Sequence, residues 1–99
     1  MSVLLWTRIR RGGDGILEIK RAVALRYRSH ADKAPRVTAK GAGAVAEALI
    51  RAAEAGKVPI HENSDLARAL MGLEVEAVIP QELYAVVAEV LAYVYQVRT

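Results

Sequence analysis

The stretch AVALRY at positions 22–27, followed by APRVTAKG at 34–41, decides the fold of this chain. In the first stretch apolar residues alternate with others, as they do in a strand that buries one face. The residues on that face are Val23, Leu25 and Tyr27. The second stretch reads as a short strand ending at a Gly-Ala-Gly turn, and the polar residues between the two stretches are predicted to form a loop. The sequence therefore predicts two strands, over about 16–27 and 36–40.

Downstream of this turn the apolar period lengthens to between three and four residues, which is typical of helices. Helices are predicted over 45–55, 64–70 and 80–96, with a short strand over 58–62. Gly56 ends the first helix, Ser64 is the expected N-cap of the second, and Pro80 suits the first position of the third. This order of elements predicts an α/β domain, in which a small mixed sheet of three to four strands packs against about three to four helices.

The last predicted helix is the most apolar part of the chain. Glu82, Glu89 and Gln96, seven residues apart, form a narrow polar edge on it. We expect it to be buried on most of its circumference, as the central packing element of the domain. Presentation of part of its surface to a partner is the second interpretation.

One domain is expected, because 99 residues are too few for two separate cores. Residues 1–15 contain several arginines and the turn-forming sequence Gly12-Gly13-Asp14-Gly15, so they are predicted to be a flexible basic segment. The domain itself is placed at 16–99. The chain has no apolar stretch long enough for a membrane span, no secretory signal pattern and no cysteine, so we expect a cytoplasmic protein.

Charge is unevenly distributed along the chain. Residues 1–40 hold ten Lys or Arg against three acids, a net charge of +7, whereas residues 41–99 hold four against eight, a net charge of −4. A basic segment of this kind occurs in domains that bind nucleic acid or acidic lipid. It also occurs in domains whose two faces simply attract each other, and this second interpretation is preferred.

Residues suited to catalysis are few. His30 and His61 have no second ligand at a metal-binding spacing, so no metal site is predicted. No serine lies in a nucleophile pattern, and the Gly41-Ala42-Gly43 turn lacks the lysine of a phosphate-binding loop. The chain is therefore predicted not to be an enzyme and to use no cofactor.

Several stretches, taken in order, resemble the C-terminal cytoplasmic domain of the flagellar and type III secretion export proteins, the FlhB/YscU family. They are AVALRY at 22–27, APRVTAKG at 34–41, PIHEN at 59–63, LARAL at 66–70, IPQELY at 79–84 and VAEVLAYVY at 87–95. The resemblance covers about residues 22–97. It implies the fold of the FlhB C-terminal domain.

The chain departs from the family pattern where family members cleave themselves. The family places Asn-Pro-Thr-His before the first matched strand, and the Asn side chain attacks its own carbonyl carbon. The corresponding positions here are Leu17, Glu18, Ile19 and Lys20, and the single asparagine of the chain is Asn63. The resemblance therefore implies a member that does not cleave itself.

Two further departures concern length. The segment 71–79 is one residue shorter than the family pattern and lacks its glycine. The membrane domain that precedes this region in the family is not expected here. The resemblance thus implies a stand-alone protein similar to the C-terminal fragment that cleavage releases.

In the family this domain faces the cytoplasm at the export gate and helps to select export substrates. The residues that match its apolar docking patch are Ala34, Pro35, Ala88 and Leu91. The resemblance implies a non-enzymatic binding module for export-gate proteins and for flagellar or type III export substrates. Such a module would lie at the inner-membrane export apparatus, supplementing or replacing the C-terminal fragment of FlhB.

Two other interpretations stay open. One is a small basic RNA-binding α/β domain, whose affinity for nucleic acid would fall steeply with salt. It is the weaker expectation, because the chain has no phenylalanine and most of its tyrosines lie in the apolar last helix, which leaves few residues for base stacking. The other is a relative of the family without a role in export.

Overall fold

The computed structural model of the chain describes residues 1–11, 17–28 and 31–96. These residues form one mixed sheet from the strands β1 (Ser2–Arg11), β2 (Leu17–Arg26), β3 (Arg36–Ala42) and β4 (Ile60–Glu62). The order across the sheet is β3-β2-β1-β4. The first three strands are antiparallel neighbours, and β4 runs parallel to β1.

Helices cover both faces of the sheet. Helix α1 (Ala44–Ala55) lies on one face, and helices α2 (Ser64–Met71) and α3 (Tyr84–Val94) lie on the other, with a 3-10 turn (Gln81–Leu83) leading into α3. Gly43, with φ +61, lets the chain turn from β3 into α1 without a capping side chain. The predicted fold class, a small mixed sheet packed against helices, is confirmed.

Each face of the sheet buries its own apolar cluster. The larger cluster joins strands β1 to β3 to helices α2 and α3, and it includes Val3, Leu5, Val23, Leu25, Val37, Leu66, Leu70, Val87 and Leu91. The smaller cluster packs Leu4 and Ala22 against Ala46 and Ala53 of α1. Val23 and Leu25 lie on the same face with Tyr27 packed beside them, as the alternation predicts.

The expectation of a flexible segment over 1–15 is wrong for Ser2–Arg11. These residues form the interior strand β1, paired with β2 along its full length. The apolar side chains of 3–5 are all buried, alternately on the two faces of the sheet. A strand that is covered on both faces shows a continuous apolar run rather than alternation, so the period of two is not visible there. The domain therefore includes this strand and does not begin at residue 16.

The Gly-Gly-Asp-Gly sequence predicted as a turn or linker, at 12–15, lies outside the described residues.

The last helix is less buried than expected. In α3 the buried residues are Val87, Val90 and Leu91, whereas Tyr84 and Tyr93 remain 42% and 69% exposed. Because α3 lies in an outer layer of the fold, only its sheet-facing side is covered. The expectation of a mostly buried central helix is therefore wrong, and the surface left open is apolar.

The N-cap of α2 is Asn63 rather than the predicted Ser64. The Asn63 Oδ1 accepts a hydrogen bond from the Leu66 N–H at 3.0 Å, and the extended backbone of Asn63, φ −152, is typical of an N-cap. Helix α2 therefore has its capping residue one position earlier than the sequence pattern suggests.

The segment between α2 and α3 covers the outer edge of β3. The Val37 N–H donates to the Ala77 carbonyl at 3.0 Å, and the Glu76 N–H donates to the Val37 carbonyl at 2.7 Å. Glu76 has φ +74, a conformation that favours glycine. This strained residue lies in the segment that the sequence marked as shortened and without the family glycine.

Candidate docking groove

An apolar groove of about 210 Å³ lies where the loop before β3 meets helix α3. We call it the α3 groove; it is lined by Tyr27, Lys33, Ala34, Pro35, Tyr84, Ala88 and Leu91. All four residues that the family resemblance implied as a docking patch are in this lining. Two of them precede β3 and two lie on α3, so the fold brings together residues that are far apart in the chain.

Hydrogen bonds on both sides fix the Ala-Pro dipeptide of the groove. On its N-terminal side, the Asp32 carboxylate accepts from the Arg28 N–H at 3.0 Å, and the Asp32 N–H donates to the Arg28 carbonyl at 2.7 Å. On its C-terminal side, the Pro35 carbonyl accepts from the Ile79 N–H at 3.0 Å. The loop is therefore tied to the segment that leads into α3, which keeps the two walls of the groove in register.

Helix α3 is held against the sheet at two levels. Val87, Val90 and Leu91 pack into the larger core cluster. At the end of the helix, the Tyr95 hydroxyl donates to the Ser2 carbonyl oxygen at 2.5 Å and accepts from the Ser2 N–H at 3.0 Å. These contacts fix the face of α3 that borders the groove.

The lining residues differ in exposure. Ala34 and Leu91 are only 3% and 7% exposed, so they belong to the core and also form the floor of the groove. Pro35 is buried as well, whereas Ala88 and Tyr84 are exposed on the α3 side. Lys33 is the charged residue at the rim. A solvent-open apolar groove with a basic rim residue suits an apolar side chain carried by a protein segment.

Sequence reasoning missed part of this surface. Tyr27, Lys33 and Tyr84 also line the groove, and a second apolar depression adjoins it along Met1, Tyr27, Ala88, Leu91, Ala92 and Tyr95. Tyr27 could have been found from its phase in the first predicted strand. Met1 could not, because its place beside α3 depends on the pairing of β1, where the Tyr27 N–H donates to the Met1 carbonyl at 2.7 Å.

The four positions that the resemblance matches to the family cleavage sequence lie within regular β-structure. Leu17 and Glu18 pair with Arg11 and Arg10, and Ile19 and Lys20 pair with Ile9 and Arg8. Asn63, the single asparagine of the chain, is occupied as the cap of α2. The backbone at 17–20 is thus extended and paired.

Other predicted features are distributed over the surface. His61 lies edge-on to the Tyr93 ring with 5.5 Å between ring centroids, and His30 lies outside the described residues. Within 1–11, 17–28 and 31–96, no three His, Cys, Asp or Glu side chains come together as a metal site. In the same ranges, no helix is long and apolar enough to cross a membrane.

Comparison with known proteins agrees with this architecture. The sequence model of the FlhB HrpN YscU SpaS family matches residues 19–94, which is most of the chain. The chain belongs to this family. Its flagellar and secretion relatives connect it with flagellar biosynthesis, type III secretion and protein export.

Two sequence relatives illustrate the range of the family. The chain is 44% identical over 78 residues to the uncharacterized protein YlqH of Bacillus subtilis, covering 79% of this chain and 84% of that protein. It is 50% identical over 78 residues to the flagellar biosynthetic protein FlhB of Yersinia enterocolitica, covering 78% of this chain but 20% of FlhB. The chain thus spans about one fifth of the length of the flagellar relative.

Solved structures share the fold. The crystal structure of the cytoplasmic domain of FlhB from Shewanella putrefaciens matches with a TM-score of 0.74 at 38% identity, over 77% of this chain and 60% of that one. A variant of the C-terminal domain of EscU matches with a TM-score of 0.74 at 25% identity, over 80% and 73% of the two chains. The expected likeness to FlhB C-terminal domains is confirmed.

Proposed function

We propose that this chain is a non-enzymatic binding module of the flagellar or type III export apparatus. In this proposal the α3 groove binds an apolar side chain presented by an export substrate or by an export-gate protein. The module works at the cytoplasmic face of the gate, where it supplements or replaces the C-terminal fragment of a full-length FlhB.

The convergence of Ala34, Pro35, Ala88 and Leu91 in one groove is the observation that carries the proposal. The two pairs come from separate elements, and each pair has its own fixing contacts in the loop or in the core. A groove whose walls are held by the fold before a partner arrives loses little conformational entropy on binding. This supports a preformed docking site rather than an incidental depression.

The exposed apolar residues around the groove support a protein as the occupant. Tyr84 and Ala88 are exposed beside the groove, and the adjoining depression extends the apolar surface past Ala92. Contiguous exposed apolar surface of this kind is typical of interaction sites in small domains. An extended segment lying along α3 would cover both depressions.

The test uses two aspartate variants of the same helix. Ala88→Asp places a carboxylate on the wall of the groove, whereas Ala85→Asp makes the same change at an exposed position of α3 outside the lining. Ala34 is unsuitable, because it is buried and its replacement would disturb the core. Burying an unpaired carboxylate is costly, so Ala88→Asp should weaken binding at least about tenfold.

The measurement is titration of purified gate proteins and export substrates from the source organism against the wild type and both variants. Circular dichroism first checks that each variant is folded. Binding that is lost in Ala88→Asp and kept in Ala85→Asp supports the groove. Equal binding by the two variants, or binding only to RNA with a steep salt dependence, would overturn the proposal.

We also propose that the chain does not cleave itself. Leu17 stands where the family has its reactive asparagine, and the amide oxygen of Asn63 is engaged by the Leu66 N–H. Mass spectrometry after prolonged incubation should give one species of 10.8 kDa. Fragments that end at residue 17 would contradict this part of the proposal.

A further inference from the structure

The two strands of the N-terminal hairpin extend beyond the rest of the sheet. Strand β4 pairs with β1 only over Leu4–Trp6, and β3 pairs with β2 only from Arg21 onward. The Gly43 N–H still donates to the Lys20 carbonyl at 2.8 Å, so the distal part of the hairpin, 9–11 paired with 17–19, is a two-stranded ribbon. Within the described part of the chain, no strand pairs with β1 beyond Trp6 on its β4 side.

The backbone of β1 alternates in the direction of its hydrogen bonds. The backbone N–H and C=O groups of the even-numbered residues point toward β4. The Leu4 N–H donates to the Pro59 carbonyl at 2.9 Å, and the Trp6 carbonyl accepts from the Asn63 N–H at 3.1 Å. Arg8 and Arg10 continue this series, so their N–H and C=O groups face the open edge. The Thr7 hydroxyl makes one weak contact there, 3.5 Å from the Arg8 carbonyl oxygen. The edge from Thr7 to Arg11 therefore offers a donor and an acceptor at alternate residues.

This open edge is strongly basic. Residues 8–11 contain three arginines in four positions, and the paired strand 17–20 holds one acid, Glu18, and one base, Lys20, which lies 4.0 Å from the Glu47 carboxylate. Arg8 is exposed, with its guanidinium 5.0 Å from the centre of the Trp6 ring. A strand that pairs here runs beside Arg8, so acidic side chains would favour it and basic ones would oppose it.

The geometry distinguishes between anionic partners. The carbonyl oxygens of Arg8 and Arg10 need hydrogen-bond donors, which a peptide backbone supplies and a phosphate does not. The Trp6 ring already has Arg8 and Lys20 within 5.0 and 5.7 Å of its centre, so it is a poor platform for a nucleic-acid base. A second copy of this chain, paired edge to edge, would bring arginines close to arginines.

We propose that the open edge of β1 over Thr7–Arg11 binds an acidic protein segment as an added strand. The partner continues the line of β4 along β1, with backbone hydrogen bonds to Arg8 and Arg10 and an acidic side chain beside Arg8. This site is separate from the α3 groove, and the inference does not depend on the proposed export function.

The probes are two capped heptapeptides, one alternating Glu with Val and the other alternating Lys with Val. Each is titrated against the full chain and followed by two-dimensional amide NMR and by amide hydrogen exchange. The glutamate peptide should bind, shift the resonances of 7–11 and slow the exchange of the Arg8 and Arg10 amides. The lysine peptide should not bind.

A proline substitution tests the backbone contact. Arg10→Pro removes an N–H that faces the open edge, so the hairpin loses no ladder bond, and Arg10→Ala removes the same charge but keeps the N–H. Arg10→Pro should bind the glutamate peptide about fivefold more weakly than Arg10→Ala, which corresponds to one net hydrogen bond. If proline distorts the hairpin, Arg8→Glu and Arg8→Lys provide a second pair, of which only the first should lose binding.

Several results would overturn the inference. Equal affinity of Arg10→Pro and Arg10→Ala, in folded hairpins, would show that the backbone edge is not used. Equal binding of the two peptides would show that the edge does not prefer an acidic partner. Binding of neither peptide would mean that the arginines only protect the edge from strand pairing. Binding of a short RNA at 7–11 without binding of the glutamate peptide would assign the edge to a different partner.

Discussion

Replacing Glu76 with glycine should stabilise the protein. Glu76 is the third residue of a turn closed by the Ala77 N–H on the Glu74 carbonyl at 3.0 Å, and its φ is +74. A type II turn requires positive φ at this position, where glycine is favoured. The Glu76 N–H donates to the Val37 carbonyl at 2.7 Å, and the Glu76 carbonyl accepts from the Arg36 guanidinium at 3.0 Å. Both bonds use backbone groups of residue 76, so they hold the conformation whatever side chain stands there, and the Cβ atom carries the strain.

The size of the effect follows from two opposing costs. A residue with a Cβ atom in the left-handed region costs about 1–2 kcal/mol. Glycine costs about 0.5–1 kcal/mol more backbone entropy on folding. The two ranges leave a net gain of about 0–1.5 kcal/mol, so the free energy of unfolding should rise by about 0.75 kcal/mol at their midpoints. In a domain of this size that midpoint corresponds to an increase in Tm of about 3–6 °C.

The assay is thermal and urea unfolding followed by far-UV circular dichroism. Glu74→Gly is the matched control, since Glu74 does not have positive φ, and it should lower stability by about 0.5–1 kcal/mol. Glu76→Ala removes the carboxylate but keeps the Cβ atom, so it should bring no gain. A Glu76→Gly variant that is less stable than the wild type would refute the assigned turn, and with it the account of how the edge of β3 is covered.

Three further substitutions test the fold. Leu5→Ala should lower the free energy of unfolding, measured in urea, by about 2–5 kcal/mol, because Leu5 is fully buried on the interior strand. A change below about 0.5 kcal/mol would show that β1 is not part of the cooperatively folded core. Asn63→Ala should lower the free energy of unfolding by about 0.5–2 kcal/mol, and Ser64→Ala should change it by less than about 0.5 kcal/mol. A larger loss for Ser64→Ala than for Asn63→Ala would indicate that Ser64 is the N-cap of α2. Tyr95→Phe should cost about 1 kcal/mol through the lost bonds to Ser2, and an unchanged urea midpoint would exclude that link between α3 and β1.

Local pattern was enough for the elements whose two faces carry side chains of different size or polarity. The alternation around Val23 and the helical period after Gly43 located β2, β3, α1 and α2 within a few residues. The same approach failed for β1, because its residues 3–5 are buried on both faces and show no period. It also overestimated the burial of α3, since composition alone does not tell how many layers surround a helix.

The lining of the α3 groove was predicted only in part. The resemblance to the family selected Ala34, Pro35, Ala88 and Leu91, and the fold places all four in one groove. Their separate exposures, with Ala88 open and Ala34 buried, depend on packing and could not be obtained from residue type. Local pattern did not indicate the open edge of β1 either, because that edge exists only where β4 stops.

The amino-acid sequence by itself determined what chemistry the chain lacks and which local structures its residues favour. It contains no asparagine at 17 and no cysteine, and its period of two or of about 3.6 assigns strands and helices. The tertiary structure alone decided which of these elements meet. Strand register and helix layering join residues separated by many positions in the chain, so the groove beside α3 and the unpaired edge of β1 arise from long-range packing that no local period records.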